Sequence, residues 1–177
     1  YIPPSTSVLM ERLFKANSHI SMSMVAVVPG KDYEIGKLFP KEVPVPIGSY
    51  FVPAITCSDF VFVAGQMATD ENALDPSVRL PKEVRNWGGP NAVRRQTEFI
   101  IKKRLEPALK AGGSSWQNVL KAQIYVPSAA DIPDTPAPTM TRSRTSGPPA
   151  FAPRSRFWKA VSLTIVCGSL CLGGDGG

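Results

Sequence analysis

"FVFVAGQ", residues 60–66, is the stretch on which the fold turns. Phe60, Val61, Phe62 and Val63 are β-branched or aromatic, the composition of a half-buried strand. Ala64-Gly65-Gln66 stops that run. Gly65 has no side chain, which leaves room for another backbone or a ligand to come close. Gln66 sets a neutral donor and acceptor beside it. Taken alone, the stretch reads as a strand entering a turn.

Working outward, residues 55–64 predict a hairpin that turns at Cys57-Ser58-Asp59. Residues 69–89 read as loop, punctuated by "NWGGP" at 86–90. Asn91 is then a plausible cap for one long helix. Val93, Thr97, Ile100, Ile101, Leu105 and Ala108 recur at a spacing of three or four and draw a single apolar stripe. Pro107 is expected to kink or tighten the last turn, and Gly112-Gly113 to end it. Ser114-Ser115 cap a short turn through Trp116. "VLKAQIYV", residues 119–126, alternates again: Leu120, Ala122, Ile124 and Val126 face one way, and Lys121, Gln123 and Tyr125 the other. Strand, strand, helix, strand with one stripe on the helix implies an α+β fold, a sheet covered on one face.

Upstream, "SHISMSMVAVVPG" (18–30) alternates and then turns continuously apolar, the pattern of a core strand ended by Pro29-Gly30. Residues 31–46 carry Pro40, Pro44 and Pro46 among charges and read as a linker.

A chain of 177 residues suits one domain or two small ones. Its composition, 43% hydrophobic and 19% charged, is that of a soluble globular protein. No apolar run reaches the roughly 18 residues a membrane helix needs, so no membrane partner is expected. Tyr1-Ile2-Pro3-Pro4 opens the chain without a signal-peptide pattern, as in a fragment or a product trimmed at its start.

The net charge of +6 is unevenly spread: residues 1–133 hold 15 basic and 12 acidic side chains, and the last 44 residues contribute the other half of the excess. Arg94-Arg95 and Lys102-Lys103-Arg104 fall on the helix as a solvated face, with no aromatic platform interleaved, so no nucleic-acid partner is expected. One histidine, His19, and three scattered cysteines (Cys57, Cys167, Cys171) supply no metal tetrad. No metal and no cofactor are therefore expected, and a reducing cytoplasmic setting is the default.

These pieces, in this order and spacing over residues 49–133, resemble the Rid/YjgF family of reactive-intermediate imine and enamine deaminases. "FVFVAGQ" is similar to the family's strand ending in Ser-Gly-Gln. "RRQTEFIIKKRLEPALKAGGSSWQNVLKAQIYVPSAADIP" (94–133) is similar to its helix opening with Gln-Thr and ending in Ala-Gly-Ser-Ser, followed by a Val-x-Lys-x-x-x-Tyr strand. The start of the chain resembles the family's other end. "PPSTSV" (3–8) is similar to its Pro-Ala-Arg-Thr-Thr-Val strand, and "HISMSMVAVVP" (19–29) to its closing Val-Glu-Ile-Asp-Leu-Ile-Ala strand. The resemblance thus implies a tandem chain: the C-terminal part of a first module at 1–30, the linker at 31–46, and a second module at 47–133. It also implies a chorismate-mutase-like sheet with helices on one face, homotrimers, ligand clefts between neighbouring modules, and a small-molecule imine or keto acid as partner.

Hydrolysing a 2-imino acid needs a cation for the carboxylate, donors to place the C=N group, and a group to deliver water. Arginine suits the first task because its planar fork meets both carboxylate oxygens. Glutamate suits the last. The resemblance puts the arginine in Pro-Ala-Arg and the glutamate in the closing strand, where this chain has Ser5 and Ser21. Neither serine can do the work of the residue it replaces, so the first module's own imine site is expected to be degenerate. In the second module the resemblance implies substrate contacts from Phe51, at a cleft aromatic that is usually tyrosine, and from Gly65 and Gln66. Without the resemblance, all three read as plain structure.

Beyond Pro133 the pattern fails where a second helix is expected. Residues 134–158 show no period and carry prolines at 136, 138, 148, 149 and 153. Codon degeneracy permits a shifted frame in which 144–150 spell Tyr-Phe-Gly-Pro-Ala-Arg, which would make 134–177 an aberrant, frame-shifted tail. As written, Arg154 is the nearest in-frame candidate for the catalytic carboxylate clamp, against a solvated arginine on an irregular tail. "KAVSLTIVCGSLCLG" (159–173) has the composition of one apolar strand that replaces the missing sheet edge.

Overall fold

A computed structural model describes residues 3–8, 13, 16–27, 34–45, 52–70, 73–79, 92–126, 128–135 and 160–166. Its centre is a five-stranded sheet. β1 (Ile35–Leu38), β2 (Ala54–Cys57) and β3 (Phe60–Val63) form an antiparallel meander. Two short strands follow, β4 (Thr69–Asp70) and β5 (Ala73–Leu74), which among the described residues pair only with each other. A helix crosses from the meander to β6 (Val119–Tyr125), and β7 (Ala160–Val166) completes the sheet in the order β1-β2-β3-β7-β6. β7 is parallel to both of its neighbours. This is the α+β architecture expected from the sequence.

The hairpin of β2 and β3 forms as its composition predicts. Cys57 pairs with Phe60, so only Ser58 and Asp59 lie in the loop, and Ser58 takes a positive φ of 51°. Along β3 the side chains alternate: Val61 and Val63 are buried against the helix, while Phe60 and Phe62 stack on the opposite face with ring centroids 6.0 Å apart. The register Leu38–Ala54–Val63 continues the inner face across the meander.

The helix runs without a break through α1 (Ala92–Ile100), a π-helical stretch at Ile101–Leu105, and α2 (Glu106–Ala111). Pro107 was expected to kink or tighten it; the helix instead widens just ahead of the proline. The ring would collide with the carbonyl of residue 103 in a regular α-turn, and one extra residue per turn relieves that contact. Glu106 N–H accordingly bonds back five residues to Ile101. The stripe is as expected except at one position: Val93, Thr97, Ile100, Leu105 and Ala108 are buried, Ile101 only partly, and Gln96 and Leu109 join them. Thr97 costs the helix little because its hydroxyl donates to the Val93 carbonyl at 2.8 Å. Burying Ile100, Leu105 and Leu109 contributes roughly 1.5–3 kcal/mol each.

The C-terminus closes as a Schellman motif: Ser114 N–H reaches the Leu109 carbonyl at 2.9 Å and Gly113 N–H reaches Lys110 at 3.0 Å. Gly113 supplies the positive φ of 69° that the motif requires. Asn91, the expected cap, lies outside the described residues.

Four expectations give way to the structure. The segment read as a linker, 31–46, contributes β1 and the core residue Val43. Its prolines all follow the strand rather than interrupt it, and an edge strand of Ile-Gly-Lys-Leu carries too little apolar alternation to be seen. Residues 69–79, read as loop, hold the β4–β5 hairpin and a 3-10 turn at Pro76–Val78. Leu120 does not face the core but is 73% exposed. The register slips between Val119 and Lys121, so Leu120 bulges out and Val119 takes the inward position with Ala122, Ile124 and Val126. Finally, described residues 18–27 form no strand and are not core: Ile20, Met22, Met24 and Val25 are all more than 70% exposed.

The apolar stretch at 159–173 supplies β7, and this strand lies inside the sheet, not at its edge. No helix among the described residues is long and apolar enough to cross a membrane.

Candidate functional site

The strand β3 ends in the Ala64-Gly65-Gln66 bend, which is held by hydrogen bonds within itself, to the start of β2 and to Ser5. Ala64 N–H donates to the Pro53 carbonyl at 2.8 Å, which ties the bend to the start of β2. Gln66 is 6% exposed, and its amide Nε2 turns back to donate to the Ala64 carbonyl at 3.3 Å. Its amide is thus engaged by its own bend. Gly65 N–H donates to the carbonyl of Ser5 at 3.4 Å. Sixty residues of sequence separate these partners. The room that Gly65 was expected to leave is taken by another part of the chain: a Cβ there would come within 2.5 Å of Thr6 Cγ2 and 2.6 Å of Thr6 Oγ1.

Beyond the bend, arginines of the helix hold the β4–β5 hairpin and the 3-10 turn after it, and Arg79 ties that turn back to β5. Arg104 donates to the carbonyls of Glu42 and Thr69, the latter at 2.9 Å, and stacks over Phe99 with 5.1 Å to the ring centroid. Arg95 donates to the Ser77 carbonyl at 2.8 Å, and Arg79 to that of Leu74 at 2.8 Å. Arg95 and Arg104, read as part of a solvated face, therefore have fixed structural partners; Arg94 does stay outside, paired with Glu98 at 3.2 Å. Charged donors to carbonyls are worth about 1.5–3 kcal/mol each. Asp75 caps the 3-10 turn by accepting from the Ser77 backbone N–H at 2.8 Å and from its hydroxyl at 2.6 Å. The Ser77 hydroxyl bond chiefly holds the Asp75 carboxyl below the usual carboxylate range; slight burial opposes this, and Arg104 and Arg79 add to it.

Of the sequence-based site residues, the structure brings together Ser5 and Gly65, with Gln66 adjacent and buried. Ser5 and Ser21 are exposed. Phe51 and Arg154 lie outside the described residues. Thr6 and Arg104 were missed as partners of this region. For Thr6 the signal was present, since Gly65 announced a close approach, but nothing local names the partner. Chemically, the bend holds a backbone donor on a residue without a Cβ, and the Ser5 carbonyl occupies that donor. Neither residues 3–8 nor residues 64–68 include a charged side chain.

No curated protein matches the chain. A family model described as Endoribonuclease L-PSP matches residues 41–153, which takes in β2, β3, the bend, the whole helix and β6. The match begins inside the segment first read as a linker and extends past Pro133. It spans well over half of the sequence, and with the fold it supports the resemblance already noted: the chain belongs to the Endoribonuclease L-PSP family, the YjgF/Rid family.

Proposed function

We propose that the chain is a Rid-type hydrolytic deaminase: it binds reactive 2-imino or enamine acids at the Gly65–Gln66 bend and adds water across C=N to release a 2-keto acid and ammonia. The observation that carries this reading is the contact of the bend with residues 3–8. The resemblance assigns both stretches to ligand clefts, and they meet although they are far apart in sequence. In this reading Phe51, Gly65 and Gln66 hold the substrate, Arg154 grips its carboxylate, and a homotrimer built from tandem modules supplies the remaining cleft wall. No cofactor takes part.

The test supplies a 2-imino acid continuously with an amino-acid oxidase in thiol-free buffer and follows ammonia. The expected result is faster release with the chain present. A rate equal to that of buffer removes the deaminase.

One observation favours a second reading, a non-catalytic member that binds a small ligand. The residue at the arginine position, Ser5, meets the bend through its backbone carbonyl, and its side chain carries no charge. Titration with small 2-keto acids separates the two, because binding without turnover selects the binder. Cleavage of RNA finds less support. The only histidine, His19, lies exposed in the 16–27 stretch, and general acid-base cleavage calls for a partnered pair.

A further inference from the structure

Three observations concern the space over Gly65. Its N–H is already engaged, by a long 3.4 Å bond to the Ser5 carbonyl. The volume in front of its Cα is filled by Thr6, whose Cγ2, Oγ1 and Cβ would lie 2.5, 2.6 and 3.0 Å from a side chain placed there. Yet the segment that makes these contacts is lightly held. Residues 3–8 form no strand and none is fully buried: Pro4 and Val8 are half-buried, and Ser5, Thr6 and Ser7 are exposed, as are the described residues 19–27. At the bend itself, one long neutral hydrogen bond and the Thr6 contact give little net stabilisation against the entropy of ordering the segment.

We propose that residues 3–8 are a strap that covers the bend and must lift before a ligand can use the Gly65 N–H. This rests on the reading that ligands bind at the bend. The Ser5 carbonyl is an acceptor of the same kind as the keto oxygen of a 2-keto acid or the nitrogen of an imine, and the two compete for a single donor. The chain therefore exists in a closed form, with Ser5 on Gly65, and an open form that accepts ligand. Ligand shifts the population toward the open form, and its apparent affinity is reduced by the fraction of molecules that are open. Thr6 sets that fraction through its contact with Gly65 while making no part of the ligand's hydrogen bond.

The test compares the full chain with Thr6→Ala, which removes Oγ1 and Cγ2, and with Thr6→Gly, which also removes Cβ. Pyruvate serves as the probe, and hydrogen exchange is read at the Gly65 amide. The expected result is graded: exchange at Gly65 accelerates from wild type to alanine to glycine, and pyruvate binds more tightly in the same order, by about tenfold for glycine if nine molecules in ten are closed. Exchange at Gly65 that does not change along the series overturns the strap. Faster exchange with pyruvate affinity unchanged or weakened also overturns it, and shows that the segment does not compete with the ligand for the Gly65 N–H. In both cases measurable pyruvate binding leaves the ligand site standing. Binding of pyruvate by none of the three proteins overturns the ligand site, and the strap with it.

Discussion

Two apolar runs of this chain read alike and end up in opposite circumstances. "ISMSMVAV" (20–27) and "AVSLTIV" (160–166) both have the composition of a buried strand. The second is β7, bonded on both sides, to β3 and to β6. The first is unpaired in the described structure and exposed, from 37% at Val27 to 78% at Met24. The difference teaches that strand composition is a capacity, and that the ladder decides whether it is used. The helix carries the chain from β3 over to β6 and leaves a gap one strand wide, in which Val61, Val161 and Val119 share a row. A run that reaches this gap satisfies both sets of backbone groups at once. A run that reaches no edge gains nothing from its side chains and leaves them in water.

The sharpest way to break the comparison is proline in each run. Among the described residues β6 bonds to the sheet only through β7, so Leu163→Pro is expected to lower the unfolding free energy by on the order of 3 kcal/mol or more. Met24→Pro is expected to change it by less than about 0.5 kcal/mol. Urea unfolding of the two variants checks this, and equal effects would mean that the first run is paired in solution. Next in size is Arg104→Ala. It releases residues 40–43, a proline-bearing stretch that is held where 20–27 is not, and it should cost about 2 kcal/mol with faster hydrogen exchange in β4 and β5.

Gly65→Ala asks how firmly the first part of the chain is attached. Overpacking against Thr6 is worth about 1 kcal/mol or somewhat more if the segment stays. Adding Thr6→Gly should restore most of the loss, a coupling that a double-mutant cycle measures. A smaller effect is expected from Met24→Lys: stability within about 0.5 kcal/mol of wild type, but less self-association in sedimentation, because an apolar, unpaired stretch is an invitation to pair with another chain.

The smallest effect belongs to Asp75. Its carboxyl is held below the usual range in the folded chain. A lowered folded-state value gives stability that is present at neutral pH and is lost on acidification, as pH falls through the unfolded and then the folded value. Asp75→Asn should therefore flatten the acid limb of stability against pH by slightly lowering stability at neutral pH and leaving it unchanged at low pH, where the wild-type carboxyl is already uncharged; an unaltered acid limb would mean that the Ser77 bonds do not persist in solution.

Much of the framework was legible beforehand, for reasons that are local. Phe60–Val63 alternates with period two, and the helix stripe follows a period near 3.6, so each element declares its own buried face. Gly112-Gly113 declares the helix end because only glycine takes the left-handed turn without strain. β1 was not legible, since four residues with one glycine and one lysine carry little pattern. The inversion at Leu120 was not either, because a bulge is a property of two strands and the pattern belongs to one. Of the candidate site, the glycine was legible and its occupant was not.

What the residue order determined by itself is thus the β2–β3 hairpin, the helix and β6 as elements, the inward face of β3 and of the helix, and the presence of a close approach at Gly65. Tertiary structure alone decided that β7 fills the middle of the sheet, that 20–27 remains outside it, and that Thr6 and the Ser5 carbonyl close over the bend. Periodicity and turn chemistry act between neighbours along the chain, whereas a ladder partner or a covering segment is chosen among groups about 40 to 100 residues apart, by which of them can satisfy an open hydrogen bond.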